Sequence, residues 1–199
     1  MSKSNKLIEK TLVIIKPDAV QRGLIGTIFE YLEEVGLKLL AAKMVRPDEQ
    51  VIKNHYPGTK EWIIEMGKKT LSSFKQSNLD VKTTMGTDDP HQLGKFVYER
   101  LVNYWKQGPI IVCVWEGPHA ISLVRKIRGH TIPLLADPGT IHARHSFDSS
   151  PLSVALDRVV ETFVHASGDV AEAQREILYW FGTTDFKSYE RDVDQLYLK

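Results

Sequence analysis

The chain contains very little cysteine: Cys113 is the single cysteine among 199 residues. One cysteine cannot form a disulfide within the chain, which excludes a disulfide-stabilised scaffold. Cys113 lies in the apolar run PIIVCVWE, and this setting predicts a buried, unreactive thiol and not a nucleophile. Such cysteine usage fits a reducing compartment, so we expect a cytoplasmic protein.

Long apolar runs and an excess of one charge are also missing. No stretch approaches the roughly 18 uninterrupted apolar residues of a membrane span, and the initial MSKSNKLIEK lacks a signal-peptide core. The 26 basic and 25 acidic residues give a formal net charge of +1. Nucleic-acid binders need a basic excess or stripe, so we expect neither nucleic acid nor membrane as a partner. A local basic pocket for a small polyanion stays open.

Several common catalytic motifs are absent. The sequence has neither of the glycine-rich phosphate-binding patterns GxxxxGK[ST] and GxGxxG, and it has no GxSxG. A Ser/His/Asp triad stays open, because serine and aspartate are plentiful. His142 and His145 form an HxxH pair, but no cysteine or carboxylate set completes a zinc site, so we predict no metal site built by the protein.

The sequence does contain apolar runs that alternate with amphipathic segments. Runs rich in β-branched residues predict buried strands at 11–16, 37–45 and 109–116, and a further short strand leads to His165. Helical periodicity between them predicts helices at 27–35, 48–56, 57–107 with interruptions, and 119–128. A long loop and a last helix, capped by Asp169, complete an order that favours an α/β sandwich.

Two further helix starts are predicted from local signals. Thr27 and Glu30 have the spacing of a capping box, and Pro118 stands where the first residue of a helix is expected. Residues 129–151 follow as a loop rich in proline, and loops of this length tend to be functional.

Three features bring together groups that handle phosphate. Lys16 ends a buried strand, so its ammonium emerges at the edge of the sheet. Arg125, Lys126 and Arg128 crowd the last turn of a helix, where the helix dipole alone would favour positive charge, and Thr131 adds a hydroxyl beside them.

The third feature is His165 with Glu176. A helix that begins near Asp169 carries Glu176 about two turns along, on the flank that faces the strand end. A carboxylate there accepts a hydrogen from one imidazole nitrogen and leaves the other free as a base or nucleophile. The small residues after His165 leave room for a bulky group to approach.

Five blocks of the sequence together resemble the nucleoside diphosphate kinase family, in the family's order and over most of residues 11–181. They are TLVIIKPDAVQRGLIGTIFEYLEEVGLKLLAAKMV, the HY at 55–56, GPIIVCVWEGPHAISLVRKIRGHTIP, the PGTI at 138–141 and VHASGDVAEAQREILYWF. The resemblance implies a ferredoxin-like α/β sandwich, with helices packed on an antiparallel four-stranded sheet. It also implies transfer of the γ-phosphate of a nucleoside triphosphate such as ATP to a nucleoside diphosphate, by a ping-pong mechanism through phosphohistidine.

The resemblance assigns roles to residues that match the family's motifs. His165 falls on the nucleophile, in HAS where the family has HGS, and Glu176 on the glutamate that binds it. Lys16 matches the lysine that contacts ribose and phosphates, and Tyr56 a tyrosine near the transferred phosphate. Arg125 and Thr131 match phosphate ligands. Mg²⁺ is expected to bridge the substrate phosphates, which needs no metal motif in the protein.

The chain departs from the family at one phosphate contact and at one sugar contact. His142 stands where the family has a phosphate-binding arginine, and Arg144 two residues later is a candidate substitute. Thr162 stands where an asparagine contacts the sugar. We keep His142, Arg144 and Thr162 as candidate nucleotide-binding residues.

Base stacking and two longer regions also differ. The position of the family's stacking phenylalanine aligns with Val97, so stacking is either lost or shifted to the neighbouring Phe96 or Tyr98. Residues near 57–90 and 142–160 are longer than in compact family members, and both flank the expected nucleotide cleft.

We therefore interpret residues 1–199 as one nucleoside diphosphate kinase-like domain with two insertions. The leading hypothesis is an active kinase that forms a homo-oligomer and binds nucleoside di- and triphosphates. The alternative is a weakly catalytic member that acts as a nucleotide-binding or scaffolding module. Protein-histidine phosphotransfer and the preferred nucleobase are left open by the sequence.

Overall fold

A computed structural model describes residues 7–184, 186, 189–192 and 194 of the chain. One antiparallel sheet of four strands forms its centre, in the order β2-β3-β1-β4. The strands are β1 (Ile8–Ile15), β2 (Lys38–Val45), β3 (Ile110–Pro118) and β4 (Val164–Ala166). This order and the helices on the sheet confirm the predicted ferredoxin-like α/β fold.

The described part of the chain contains ten α-helices, of which the last follows β4. They are α1 (Pro17–Gln21), α2 (Ile25–Glu34), α3 (Glu49–His55), α4 (Lys60–Gln76), α5 (Val81–Met85), α6 (Pro90–Trp105), α7 (Ala120–Arg128), α8 (Ile141–His145), α9 (Ser150–Ala155) and α10 (Val170–Phe181). None of these helices has the length and apolar character needed to cross a membrane.

The two faces of the sheet bury separate cores. Val13 and Ile15 of β1 point to one face, which α1, α2 and α7 cover. Leu12 and Ile14 point to the other, which α3, α6 and α10 cover. Because directly paired residues of an antiparallel sheet share a face, the pairing of Ile14 with His165 places His165 on this second face.

The helix starts predicted at Thr27 and at Pro118 are both wrong. Helix α2 begins at Ile25, two residues before Thr27, because the chain turns at Gly23, whose φ is 69°, and starts the helix earlier. Pro118 is the last residue of β3 and pairs with Ile8, since the start of β1 extends the ladder. Helix α7 follows after His119, whose φ is 52°.

The longer region near 57–90 forms α4 and α5, and α4 crosses α6 at very close range. A Cβ on Gly67 would lie 1.8 Å from the carbonyl oxygen of Pro90, and one on Gly94 would lie 1.9 Å from that of Ile63. Only glycine fits at both positions, so the crossing depends on these two residues.

The segment 129–160 is less irregular than the sequence indicates. It contains a short 3-10 turn at Pro133–Leu135 and the helices α8 and α9. The carboxylate of Asp148 holds it together, because it binds the guanidinium of Arg158 and accepts a hydrogen bond of 2.8 Å from the Glu161 amide.

Candidate active site

His165 is the middle residue of the three-residue strand β4 and not its last residue, as the sequence predicted. Its neighbours Val164 and Ala166 are buried in the opposite core, whereas the His165 side chain keeps 13 % of its surface exposed. Ser167 and Gly168 follow directly and add little bulk. The imidazole is thus fixed by strand pairing and still open on one side.

Glu176 orients this imidazole from helix α10. Asp169 caps the helix by accepting a hydrogen bond of 2.8 Å from the Glu172 amide, as the sequence predicted. Glu176 is 1 % exposed, and its Oε1 lies 2.9 Å from His165 Nε2. Its Oε2 accepts a hydrogen bond of 2.6 Å from the Ser167 hydroxyl.

These contacts assign the tautomer of His165. A carboxylate accepts hydrogens, so Nε2 carries the ring proton and Nδ1 keeps a free lone pair. Burial, with a smaller effect from the charge of Lys16, lowers the pKa of His165 and keeps the ring neutral. A neutral imidazole with an unoccupied Nδ1 is a competent nucleophile at neutral pH.

Lys16 lies between β1 and α1 and is buried. Its ammonium donates to the Thr162 hydroxyl, and it lies 5.7 Å from the Tyr104 ring and 5.8 Å from the Trp105 ring. Burial lowers the pKa of Lys16 to about 7, although the charge of Asp18 opposes the shift. A nearby anion would stabilise this buried ammonium.

Arg125 and Arg128 present two further cations from the end of α7. A Cβ on Gly168 would lie 3.5 Å from Arg125 Nη1, which places that guanidinium beside the segment after His165. Arg128 Nη2 lies 3.5 Å from the Thr131 hydroxyl. Burial, and then the charge of Arg125, lowers the pKa of Arg128 to about 10. Arg128 is also close enough to lower the pKa values of Lys16 and His165.

The sequence analysis placed Arg128 in a basic cluster with Arg125 and Lys126, but it named only Arg125 as a site residue. The signal was present, because three basic residues share the last turn of α7, but the helix dipole explains such a cluster equally well. The packing of α7 against the sheet decides which of them faces His165, and this cannot be read from spacing.

The structure argues against the roles predicted for His142 and Arg144. His142 is fully buried, its Nδ1 donates to the His130 carbonyl at 2.7 Å, and burial lowers its pKa to about 3. Its Nε2 then carries only a lone pair and cannot donate to a phosphate oxygen. Arg144 instead donates to the Tyr31 hydroxyl at 3.2 Å, and Glu30 attracts it toward the same helix.

Aromatic side chains border His165 on the α3 and α6 side. Tyr56 lies 6.4 Å from the His165 ring and 5.3 Å from Trp62, and Trp62 lies 5.8 Å from Tyr98, all measured between ring centroids. Of the stacking candidates, Tyr98 therefore joins this cluster, whereas the Phe96 ring is covered by a guanidinium. The sequence did not indicate Trp62, which enters from the longer region.

One set of side chains has the composition of a metal site. Potential ligand atoms of His55, His165 and Glu176 all lie within 4.8 Å of one another. However, His55 Nδ1 accepts a hydrogen bond of 3.2 Å from Trp180 Nε1, so the neutral ring carries its proton on Nε2, the atom that faces the cluster. Since His165 Nε2 also carries a proton, these donors do not fit a resident metal ion.

The comparisons with known proteins all match the same family. A family model described as "Nucleoside diphosphate kinase" matches residues 9–77 and 63–186. A nucleoside diphosphate kinase of Pyrobaculum aerophilum is 44% identical over 87% of this chain and 95% of its own length. One from Symbiobacterium thermophilum is 35% identical over 94% of this chain and 96% of its own length.

Solved structures give the same result for the fold. The crystal structure of the Pyrobaculum aerophilum NDP kinase has a TM-score of 0.81 and 42% identity, covering 87% of this chain and 96% of that chain. A transition-state mimic of the Borrelia burgdorferi nucleoside-diphosphate kinase, with bound vanadate and ADP, has a TM-score of 0.76 and 34% identity, covering 96% of each chain.

Proposed function

The chain belongs to the nucleoside diphosphate kinase family, and on this basis we propose that it transfers the γ-phosphate of a nucleoside triphosphate to a nucleoside diphosphate. The observation that carries the proposal is the contact between His165 Nε2 and Glu176 Oε1, at 2.9 Å. This contact leaves Nδ1 free, and Lys16 and Arg128 are close enough to lower the pKa of the ring. The relative with bound vanadate and ADP supports the same reaction.

In the proposed first step, His165 Nδ1 attacks the γ-phosphorus of the triphosphate. A nitrogen–phosphorus bond forms while the bond from phosphorus to the β,γ-bridging oxygen breaks, and the diphosphate leaves with that electron pair. The ring gains positive charge, which the Glu176 carboxylate stabilises through Nε2–H. In the second step, a β-phosphate oxygen of another diphosphate takes the phosphoryl group and restores the neutral imidazole.

Phosphoryl transfer asks the protein mainly for positioning and positive charge. We propose that Lys16, Arg125, Arg128 and Thr131 bind the phosphates. Lys16 and Arg128 are close enough to lower the pKa of His165, Arg125 lies beside Gly168, and Thr131 lies beside Arg128. Lys16 and Thr162 form one hydrogen-bonded unit, and we assign this unit to the phosphates and the sugar. Tyr56 is proposed to border the transferred phosphate. Mg²⁺ is proposed to enter with the substrate, held by phosphate oxygens.

We further propose that residues 1–199 form one catalytic domain, that the protein is cytoplasmic, and that it forms a homo-oligomer. Strand β2 supports the last point, because it is an edge strand of the sheet and its Met44 is 61 % exposed. Exposed apolar side chains on an edge strand favour contact with another chain.

The test of the proposal is transfer of radiolabel through the protein. Incubation with ATP labelled in the γ-phosphate is expected to give an acid-labile phosphoprotein, which passes the label to an added diphosphate. His165→Asn is expected to abolish the label and to lower kcat by at least about 10⁴-fold, since it removes the nucleophile.

The matched control is His119→Asn. His119 is exposed and has a φ of 52°, a conformation that asparagine tolerates, so this variant is expected to keep full activity. Nucleotide binding without label transfer would instead favour a nucleotide-binding or scaffolding module. Acid-stable label on serine or threonine would contradict the role of His165.

A further inference from the structure

His55 is a buried histidine that the reaction outlined above does not use. It ends helix α3, has no exposed surface, and its ring lies 4.7 Å from that of His165, close to perpendicular. Trp180 Nε1 donates to its Nδ1 at 3.2 Å. Its Nε2 has no hydrogen-bond partner among the described residues and lies 3.6 Å from Glu176 Oε1.

The tautomer of His55 follows from the contact with Trp180. An indole N–H can only donate, so Nδ1 of His55 must accept and cannot carry a proton. Burial lowers the pKa of His55, so the ring is neutral and its proton is on Nε2. An N–H group therefore faces the carboxylate oxygen that also binds His165.

Charged and titratable groups surround the His55 ring. Glu176 is the acidic partner on α10, and Arg175 on the same helix donates to the His55 carbonyl at 2.9 Å and lies 3.6 Å from Glu176 Oε1. His165 on β4 and, farther away, Lys16 contribute positive charge when protonated. A buried N–H without a partner costs free energy. A small movement of the carboxylate, which shortens the separation of His55 Nε2 and Glu176 Oε1 to about 3.0 Å, would give it a partner.

We infer that His55 is a positioning residue for the proposed phosphoryl transfer: Trp180 fixes its tautomer, and its Nε2–H holds Glu176 Oε1 directed at His165 Nε2. The inference rests on the proposed function. As His165 gains positive charge during attack, Glu176 must stay in line with Nε2, and a second donor on the same oxygen keeps it there. His55 itself does not contact the phosphate.

Two substitutions separate the two nitrogens of His55. His55→Gln reaches far enough to place an amide N–H near the Nε2 position, whereas His55→Asn retains only a polar group near the Nδ1 position. We expect His55→Asn to slow formation of the phosphoprotein by about 10–100-fold, the scale of a misplacement of about 1 Å, with KM unchanged. His55→Gln is expected to recover most of this rate.

The rate is measured by rapid quench at saturating ATP, and its amplitude is measured separately. A positioning role predicts a slower rate with full amplitude, because every molecule still folds. A merely structural role predicts a smaller amplitude at an unchanged rate, and this result, or a wild-type rate in His55→Asn, overturns the inference. Trp180→Phe is expected to slow the rate less than His55→Asn. Without the indole donor both tautomers of His55 are populated, so a part of the molecules still has the proton on Nε2.

The tautomer of the wild-type protein is tested independently of activity. Long-range ¹H–¹⁵N spectra of the histidine side chains are expected to show His55 protonated on Nε2 and not on Nδ1. A proton on Nδ1 overturns the inference even where the variants fail to fold. Failure of the wild-type protein to form phosphohistidine overturns the proposed function instead, which distinguishes the two.

Discussion

The two sides of the candidate active site are built in opposite ways. On the nucleophile side, Glu176 of α10 binds His165 of β4 at 2.9 Å and Ser167, the residue after β4, at 2.6 Å, so these polar groups satisfy one another. On the phosphate side, Arg125 and Arg128 form no ion pair within 4.0 Å with a carboxylate in the described part of the chain.

This difference shows what the protein organises by itself and what it leaves to a ligand. The nucleophile side is aimed before any substrate binds, which is the condition for fast transfer. On the phosphate side, Lys16 and Arg128 hold positive charge at a cost that burial imposes, and an anion relieves that cost. Variants on the first side should therefore change the chemical step, and variants on the second should change substrate binding.

Among the variants that compare the two sides, Glu176→Gln is expected to have the largest effect. The amide keeps the size of the carboxylate but offers no negative charge to the imidazolium that forms during attack. We expect formation of the phosphoprotein to slow by roughly 10–1,000-fold, less than for loss of the nucleophile, because Glu176 orients and does not react. Rapid-quench measurement at saturating ATP gives this rate.

The matched control is Glu33→Gln, a change of the same chemistry on exposed surface of α2. It is expected to leave the rate unchanged. If Glu176→Gln instead raised KM and kept the rate, the carboxylate would act in binding, and the contrast between the two sides would be lost.

The nucleophile side could be predicted from the sequence because its signals are local. Asp169 and Glu172 fix where α10 begins, and the helical repeat then carries Glu176 back toward β4. Resemblance added the role of His165 as nucleophile. The position of His55 beside Glu176 could not be predicted, because this contact of 3.6 Å joins α3 to α10 across more than 100 residues of sequence.

A smaller effect is expected from Arg128→Gln. Hydrogen bonds to charged groups contribute about 1.5–3 kcal/mol, so loss of one raises KM for ATP by roughly 10–100-fold. The rate of transfer at saturating ATP should change much less. Steady-state kinetics with varied ATP separates these two quantities.

Arg144→Gln is the matched control, because its guanidinium is directed at Tyr31 and not at His165. Its KM is expected to stay within about twofold of the wild-type value, since an exposed polar contact of this kind contributes little. An equally large rise in KM for both variants would show that Arg144 also binds the phosphates. No rise for either variant would show that Arg128 does not.

The phosphate side was predicted less completely because its arrangement depends on packing. Alignment placed His142 at a phosphate ligand, yet the fold buries this ring and uses its Nδ1 to bind the His130 carbonyl. Arg128 looked like an ordinary charge at a helix end. Which cation faces the site depends on how α7 and α8 lie on the sheet, and neither spacing nor composition specifies that.

The smallest effect is expected from pH acting on Lys16. Its pKa is lowered to about 7, so the ammonium is charged below that pH and becomes neutral above it. Only the charged form attracts a phosphate, so KM for ATP should rise as pH increases from 7 to 8.5, by up to about tenfold per unit. Bound nucleotide raises the pKa of Lys16, so kcat at saturating ATP should vary less.

Lys16→Arg tests this assignment directly, since a guanidinium stays charged through the whole range. The variant is expected to bind ATP less well at pH 6.5, because arginine does not fit the lysine's contact with the Thr162 hydroxyl. Its KM should nevertheless be flat between pH 7 and 8.5. If the KM of the arginine variant rose as steeply as that of the wild type, the titrating group would lie elsewhere, and Lys16 would belong with the nucleophile side of the site.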